Sequence, residues 1–275
     1  MKKVSLLFVL LALILASCGT KETVPVKNTV VGIFTPYFYF PETLQGSVQK
    51  LKEVNYWAVI KGDSIEAGDR ISVTDRDSLI DWTNDLEVFF DESGLVTKTN
   101  LLDEKNTVFG HWEVESADGK ISEASWIKND TTQNYVKLSY SAAEKLKMER
   151  FQAKSDSLIN YADVTLNEQG QKTSMQWYNS AHKPGGLVKF QYDTTGVLES
   201  YSVTMNDTLQ VRMSFVTNDE GFFKSQEVYS VRDSITETYV YDYTYDEQGN
   251  WVSYVAYKDG EPEVVCKRTY SYFSD

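Results

Sequence analysis

Gln191-Tyr192-Asp193-Thr194-Thr195-Gly196-Val197-Leu198 decides how the chain is read: an apolar strand end, a turn and a strand start. Nearly the same words return at Phe90-Asp91-Glu92-Ser93-Gly94, Leu166-Asn167-Glu168-Gln169-Gly170, Thr217-Asn218-Asp219-Glu220-Gly221 and Tyr245-Asp246-Glu247-Gln248-Gly249. A phrase that returns at a near-constant step marks one supersecondary unit repeated along the chain. In each copy the side chain of Asp or Asn caps the turn, two residues follow in the right-handed region, and glycine takes φ > 0. That is a type I turn closed by a G1 bulge, the signature of a short hairpin. Asp91, Gly94, Gly170, Asp193, Gly196, Gly221, Asp246 and Gly249 are therefore assigned to turn geometry, and Asp118-Gly119 reads as the shorter two-residue form.

Outward from that phrase, turn glycines fall at 46, 68, 94, 119, 170, 196, 221 and 249, mostly 25 or 26 residues apart. In the long gap between 119 and 170, Ser141-Ala142-Ala143-Glu144-Lys145-Leu146 keeps the frame with Glu144 in the glycine slot. A second set lies out of phase: Asp77-Ser78-Leu79, Asn129-Asp130-Thr131, Asp156-Ser157-Leu158, Lys183-Pro184-Gly185-Gly186, Asp207-Thr208-Leu209 and Asp233-Ser234-Ile235. Each repeat thus holds two turns and two runs of strand length. Val188, Phe190 and Tyr192 alternate with Lys189 and Gln191, and Leu198, Tyr201 and Val203 resume one face after a bulge. Leu146, Met148 and Phe151 fit a strand as well as a helix, and the repeat frame favours strand. The expected fold is all-β: an antiparallel meander of tandem ~25-residue β-hairpin repeats in one long twisted sheet, open or curled.

Tyr243-Thr244-Tyr245-Asp246-Glu247-Gln248-Gly249-Asn250 resembles the YD (RHS-type) repeat, and Gln191 to Gly196 matches it in part. Phe40-Pro41-Glu42-Thr43-Leu44-Gln45-Gly46-Ser47-Val48 is similar to the opening of Gram-negative lipoproteins that run into such repeats. The resemblance implies tandem hairpins laid into a long sheet and implies no activity, since fold does not carry function.

Met1-Lys2-Lys3 precedes an apolar run from Val4 to Leu15, too short to span a bilayer and suited to a signal peptide. Leu15-Ala16-Ser17-Cys18 matches a lipobox, which implies cleavage before Cys18 and acylation of that residue. The domain reading is a leader at 1–17, a lipidated tether at 18–28 and a repeat domain at 29–275. Loss of Lys2 and Lys3 leaves 25 basic residues against 40 acidic ones and moves the formal charge from −13 to −15. Phosphate-backbone binding needs clustered Lys and Arg, so a nucleic-acid partner is not expected. With Cys18 modified, Cys266 has no partner for a disulfide and reads as a strand-packing residue.

The two histidines, His111 and His182, have no second ligand at zinc spacing. The acidic turns supply too few oxygens for calcium, and nothing matches a nucleophile elbow or a phosphate-cradling loop. No cofactor, metal or catalytic residue is expected. The aromatics remain: Trp126, Trp177 and Trp251 fall at core-facing repeat positions, which leaves Trp82 and Trp112 as candidate binding residues. The expected function is a non-enzymatic, membrane-anchored lipoprotein that binds or scaffolds a partner through a broad sheet surface. A carbohydrate- or cell-wall-binding module is the alternative and a hydrolase or its accessory the third. The expected location is the outer membrane, on its periplasmic or external side, with a protein or glycan as partner. A membrane-spanning barrel is disfavoured because the face that would meet lipid carries Lys189, Gln191, Lys224, Asp242 and Ser253.

Overall fold

The computed structural model describes residues 28–30, 42–73, 85–141, 145–231 and 234–274. The leader, Cys18, the tether up to residue 27, the Asp77-Ser78-Leu79 turn, Trp82, Glu144 and Asp233 lie outside the described residues. Strands β1 (Asn28–Val30) and β2 (Glu42–Leu44) form a separate antiparallel pair. The main sheet begins with β3 (Val48–Lys61), which turns at Gly62 into β4 (Ser64–Arg70). An up-and-down meander follows: β5 (Asp85–Phe90), β6 (Val96–Leu102), β7 (Val108–Ala117), β8 (Lys120–Lys128), β9 (Thr131–Ser141), β10 (Lys145–Gln152), β11 (Ser157–Leu166) and β12 (Lys172–Asn179). It continues through β13 (Pro184–Tyr192), β14 (Leu198–Met205), β15 (Thr208–Thr217), β16 (Phe223–Ser230), β17 (Ile235–Tyr245), β18 (Trp251–Lys258) and β19 (Glu261–Tyr272).

The antiparallel hairpin meander is as the turn spacing predicts, but the sheet does not stay open. β19 pairs with β3 from Val264↔Trp57 to Tyr272↔Val48 and closes a barrel. Among the described residues the ring holds sixteen strands, β3 and β5 to β19, with β4 as a side branch. β5 takes Lys50 to Glu53 of β3 while β4 takes Tyr56 to Lys61 of the same edge. The physical reason for closure is visible in the register. Most hairpins carry a bulge, for example between Thr165 and Leu166, Gln191 and Tyr192, and Thr244 and Tyr245. Each bulge bends its strand and adds twist. Closure then pairs the two edges that an open sheet would leave free.

The two sets of turns are the two ends of the barrel. At one end Asp91, Asn167, Asp193 and Asp246 each accept two backbone N–H bonds across their turn, as in Asp193 Oδ1 with Thr195 N and Val197 N at 2.8 Å. The glycines that follow have φ between 77° and 90°. The opposite end uses the same device without glycine. Asp103 caps a turn that ends in Asn106 at φ 64°, and Asn179 caps one that ends in His182 at φ 59°. Asn129-Asp130 and Asn206-Asp207 make two-residue turns with φ > 0 at both positions, as Asp118-Gly119 does. Two glycine placements are corrected. Gly68 lies inside β4, where a Cβ would sit 2.4 Å from Val59 Cγ2, and the turn is at Gly62. Pro184 to Gly186 begin β13 instead of forming a loop.

Alternate residues face opposite sides of the ring. Val188 and Phe190 are buried while Lys189 and Gln191 are exposed, and β10 follows the same rule as a strand. In a closed ring the buried side is the lumen. Val48, Leu51, Val88, Phe90, Trp112 and Val136 fill one part of it, and Val164, Met175, Val188, Phe190, Tyr201 and Phe215 another. Leu138 and Met148 touch both clusters. Each such side chain withdrawn from water contributes roughly 1.5–3 kcal/mol, so the lumenal stripe is the main stabilising feature of the fold.

Candidate functional site

The lumen is apolar with a few charged intrusions, and Glu53 and Arg268 stand where strand alternation calls for an apolar residue. Glu53 lies two residues beyond Leu51 on β3, and Arg268 lies opposite it on β19. Arg268 Nε and Nη2 each donate to Glu53 Oε2 at 2.7 Å, and the guanidinium covers the Trp251 ring 3.6 Å from its centroid. Beside Asn55 of β3, Asp85 at the start of β5 is fully buried. Its Oδ1 accepts from Asn55 N at 2.7 Å and Asn55 Nδ2 at 3.3 Å, and its Oδ2 accepts from Arg70 Nε at 3.1 Å and from Arg70 Nη2. Asn55 O in turn accepts from Ile71 N at 3.1 Å. The carboxylate therefore takes the place of a missing ladder partner where β4 and β5 fork from β3, satisfying a backbone donor that burial would otherwise strand.

A second polar group lines β15 to β18, where Phe215, Gln226, Tyr239 and Lys258 lie in one cross-strand row. Lys258 Nζ meets Glu237 Oε1 at 2.7 Å, and Tyr239 OH donates to Glu237 Oε2 at 3.1 Å. The bond to Glu237 raises the Lys258 pKa; burial raises that of Tyr239, with Glu237 adding to it. Burial also raises Glu263 above the ordinary carboxylate range. Tyr241, Tyr243 and Tyr245 form a ladder along β17 at 6.2 and 6.1 Å between centroids, edged by Trp251 and Tyr254. Burial, reinforced by Glu53, pushes the Cys266 thiol well above its ordinary value, so it stays protonated and is a poor nucleophile.

The outer face carries aromatic pairs among charges. Tyr135 and Phe151 stack at 5.1 Å and Tyr161 and Tyr178 at 4.7 Å, nearly parallel in both cases. Lys137 lies over the first pair and Lys147 over Tyr161. Tyr135 OH donates to Asp156, and His182 Nδ1 lies 3.2 Å from Tyr161 OH. These residues flank the hairpin that lacks its turn glycine.

Among the residues singled out in the sequence, Cys18 and Trp82 lie outside the described residues. Trp112 is 9 % exposed and tilts against Trp126 at 5.5 Å, inside the barrel. The turn residues Asp91, Gly94, Gly119, Gly170, Asp193, Gly196, Gly221, Asp246 and Gly249 are spread around one end of the barrel and do not converge on a common point. His111 faces outward, 3.4 Å from Glu113. Among the described residues no three His, Cys, Asp or Glu side chains gather as metal ligands. Sequence reasoning passed over Glu53, Arg70, Asp85 and Arg268. For Glu53 and Arg268 the available signal was a charge standing in the apolar phase of a strand.

No family model matches the chain, and no curated protein matches its sequence. Among solved structures, a porin-like protein from Bacteroides uniformis aligns over 82 % of this chain and 96 % of its own, with 12 % identity and a TM-score of 0.35. A porin-like protein from Bacteroides vulgatus aligns over 83 % and 99 %, with 8 % identity and the same TM-score. The YD-repeat resemblance is corrected by the fold: the sheet closes into a barrel and is not an extended array of hairpins. The Tyr-Asp-x-x-Gly words that suggested it are hairpin turn chemistry, which any up-and-down barrel requires.

Proposed function

We propose that this chain is a non-enzymatic binding protein of the bacterial envelope, held to a membrane by acyl groups on Cys18 while its barrel stands in water. One observation carries the second half of that reading: the apolar face is the lumenal one. Outward positions hold Lys189, Lys137, Lys147 and Lys267 beside Glu149 and Asp163. A lysine facing lipid at the bilayer midplane costs about 2–4 kcal/mol, and here such residues recur around the ring. A barrel patterned this way presents a charged sheet to solutes and macromolecules and depends on its N-terminus for membrane contact. The acidic net charge, −15 once Lys2 and Lys3 leave with the leader, keeps it off anionic membrane surfaces. The lipobox and the apolar run before it support the tether.

The test is metabolic palmitate labelling with membrane flotation, in a Gram-negative host, of the full chain and of Cys18→Ala. The expected result is loss of label and of flotation in the variant. A variant that still floats after an alkaline carbonate wash would show the barrel itself embedded and overturn the reading. The outward Tyr135–Phe151 and Tyr161–Tyr178 pairs favour a second reading, saccharide recognition on the outer sheet, because stacked rings flanked by Lys and Glu suit sugar faces and hydroxyls. A glycan array compared between the full chain and Tyr161→Ser/Tyr178→Ser tests it, and binding that survives the substitutions removes this surface.

A further inference from the structure

Two cations that face the lumen are matched, Arg268 by Glu53 and Lys258 by Glu237, and Arg70 at the strand fork is matched by Asp85. Arg150 on β10 is different. It follows Leu146 and Met148 in the lumenal register and lies opposite Val136 on β9 and Asn160 on β11. Its Nε donates to Asn134 Oδ1 at 3.2 Å, and no carboxylate among the described residues lies within ion-pair distance. Asn160 Oδ1 beside it is buried without a hydrogen-bond partner. The two ends of that amide exchange by rotation, so it offers either a donor or an acceptor at the same place. Buried polar groups are ordinarily satisfied, so a buried acceptor without a partner, beside a half-buried guanidinium that has no carboxylate, points to a group that arrives from outside the chain.

The surroundings say what that group is. With Nε held by Asn134, the guanidinium plane is fixed and its two terminal nitrogens present parallel donors, which match the two oxygens of a carboxylate. One row deeper lie Met148, Ala162 and Trp177, paired across β10, β11 and β12, with Leu138 beside them on β9. Trp126, the cross-strand partner of Asn134, stands on the other side. An apolar floor below a few converging polar groups is the general form of a small-molecule site. We propose that the lumen of this barrel binds a small organic acid with an apolar body, its carboxylate on Arg150 and Asn160 and its body against Met148 and Trp177. This rests on the reading of the chain as a binding protein and is independent of the tether at Cys18.

The probe is 1-naphthoate, with 1-naphthalenemethanol as its uncharged twin, titrated calorimetrically into the purified full chain and followed by tryptophan fluorescence. The acid should bind at least about tenfold more tightly than the alcohol. Arg150→Gln should weaken the acid by roughly tenfold to a hundredfold, the effect of losing a charge-assisted hydrogen-bond pair, and leave the alcohol unchanged. Arg150→Lys, which keeps the charge and loses the fork, should fall between. Equal binding of acid and alcohol, no binding of either, or acid binding indifferent to Arg150→Gln overturns the proposal. Should Arg150→Gln fail to fold, Asn160→Ala removes the other partner, with a several-fold loss expected and an unchanged affinity counting against the site. Flotation of the Cys18→Ala chain is read separately, so failure of the acid site leaves the envelope reading standing.

Discussion

Replacing Asp85 by alanine should open the fork where β4 and β5 leave β3. The carboxylate is fully buried and accepts four hydrogen bonds, two from Asn55 and two from Arg70. Its removal strands the Asn55 N–H and leaves the Arg70 guanidinium, itself only 15 % exposed, without its counter-ion. Breaking one side of a buried ion pair costs about 3–5 kcal/mol, because an uncompensated charge stays behind. For a chain of this size that corresponds to a fall in Tm of roughly 6–20 °C. The assay is urea unfolding followed by tryptophan fluorescence and circular dichroism for the full chain, Asp85→Ala, Arg70→Met and the double variant. Because the double variant leaves no unpaired charge at the fork, it should be markedly more stable than the two single losses summed. A loss below about 1 kcal/mol in Asp85→Ala, or strict additivity in the double variant, would refute the idea that this carboxylate completes the ladder.

Three further outcomes follow from the same geometry. Gly196→Val should destabilise by about 1 kcal/mol or more, since φ is +87° there and a β-branched residue is strained in that region; an unchanged urea midpoint would remove the bulge assignment. Trp112→Ala should cost about 3–5 kcal/mol because the ring is buried against Trp126, and a near-neutral effect would place it at the surface instead. Burial pushes the Tyr192 phenol up to about 12. The folded state therefore holds that proton more tightly than the unfolded chain, whose tyrosines titrate near about 10. The resulting stability is complete below about pH 10 and is lost as pH rises toward the folded value, so urea midpoints that stay flat from pH 9.5 to 11.5 would contradict it.

Much of the architecture is written in short-range chemistry. The Asp193 to Gly196 turn and its copies can be read directly, because side-chain capping and a positive φ are local requirements. Asp103 to Asn106 escaped notice because Asn takes the glycine position there, and a search built on glycine steps over it. Closure is a property of the sum: no single residue states that bulges at Thr165, Gln191 and Thr244 add up to a full turn of sheet. The pairing of Tyr272 with Val48 joins residues from opposite ends of the chain. The lumenal polar groups were legible only as irregularities. Glu53, Arg268 and Arg150 each stand where alternation calls for an apolar side chain, yet the register that makes partners of Glu53 and Arg268 appears only once the ring is closed.

Closure of the ring is tested by a cross-link at its seam. Lys52 on β3 and Thr269 on β19 are Cα partners, both on the outward face. Paired residues of antiparallel strands have Cα atoms about 4.5–5.5 Å apart, within the range a disulfide spans. With Lys52→Cys and Thr269→Cys introduced together in the Cys18→Ala chain, mild oxidation should give a fast-migrating, reducible monomer in high yield, since the remaining native Cys266 is buried. Free thiols at both positions after oxidation, or dimers only, would mean that β3 and β19 do not meet and that the sheet is open.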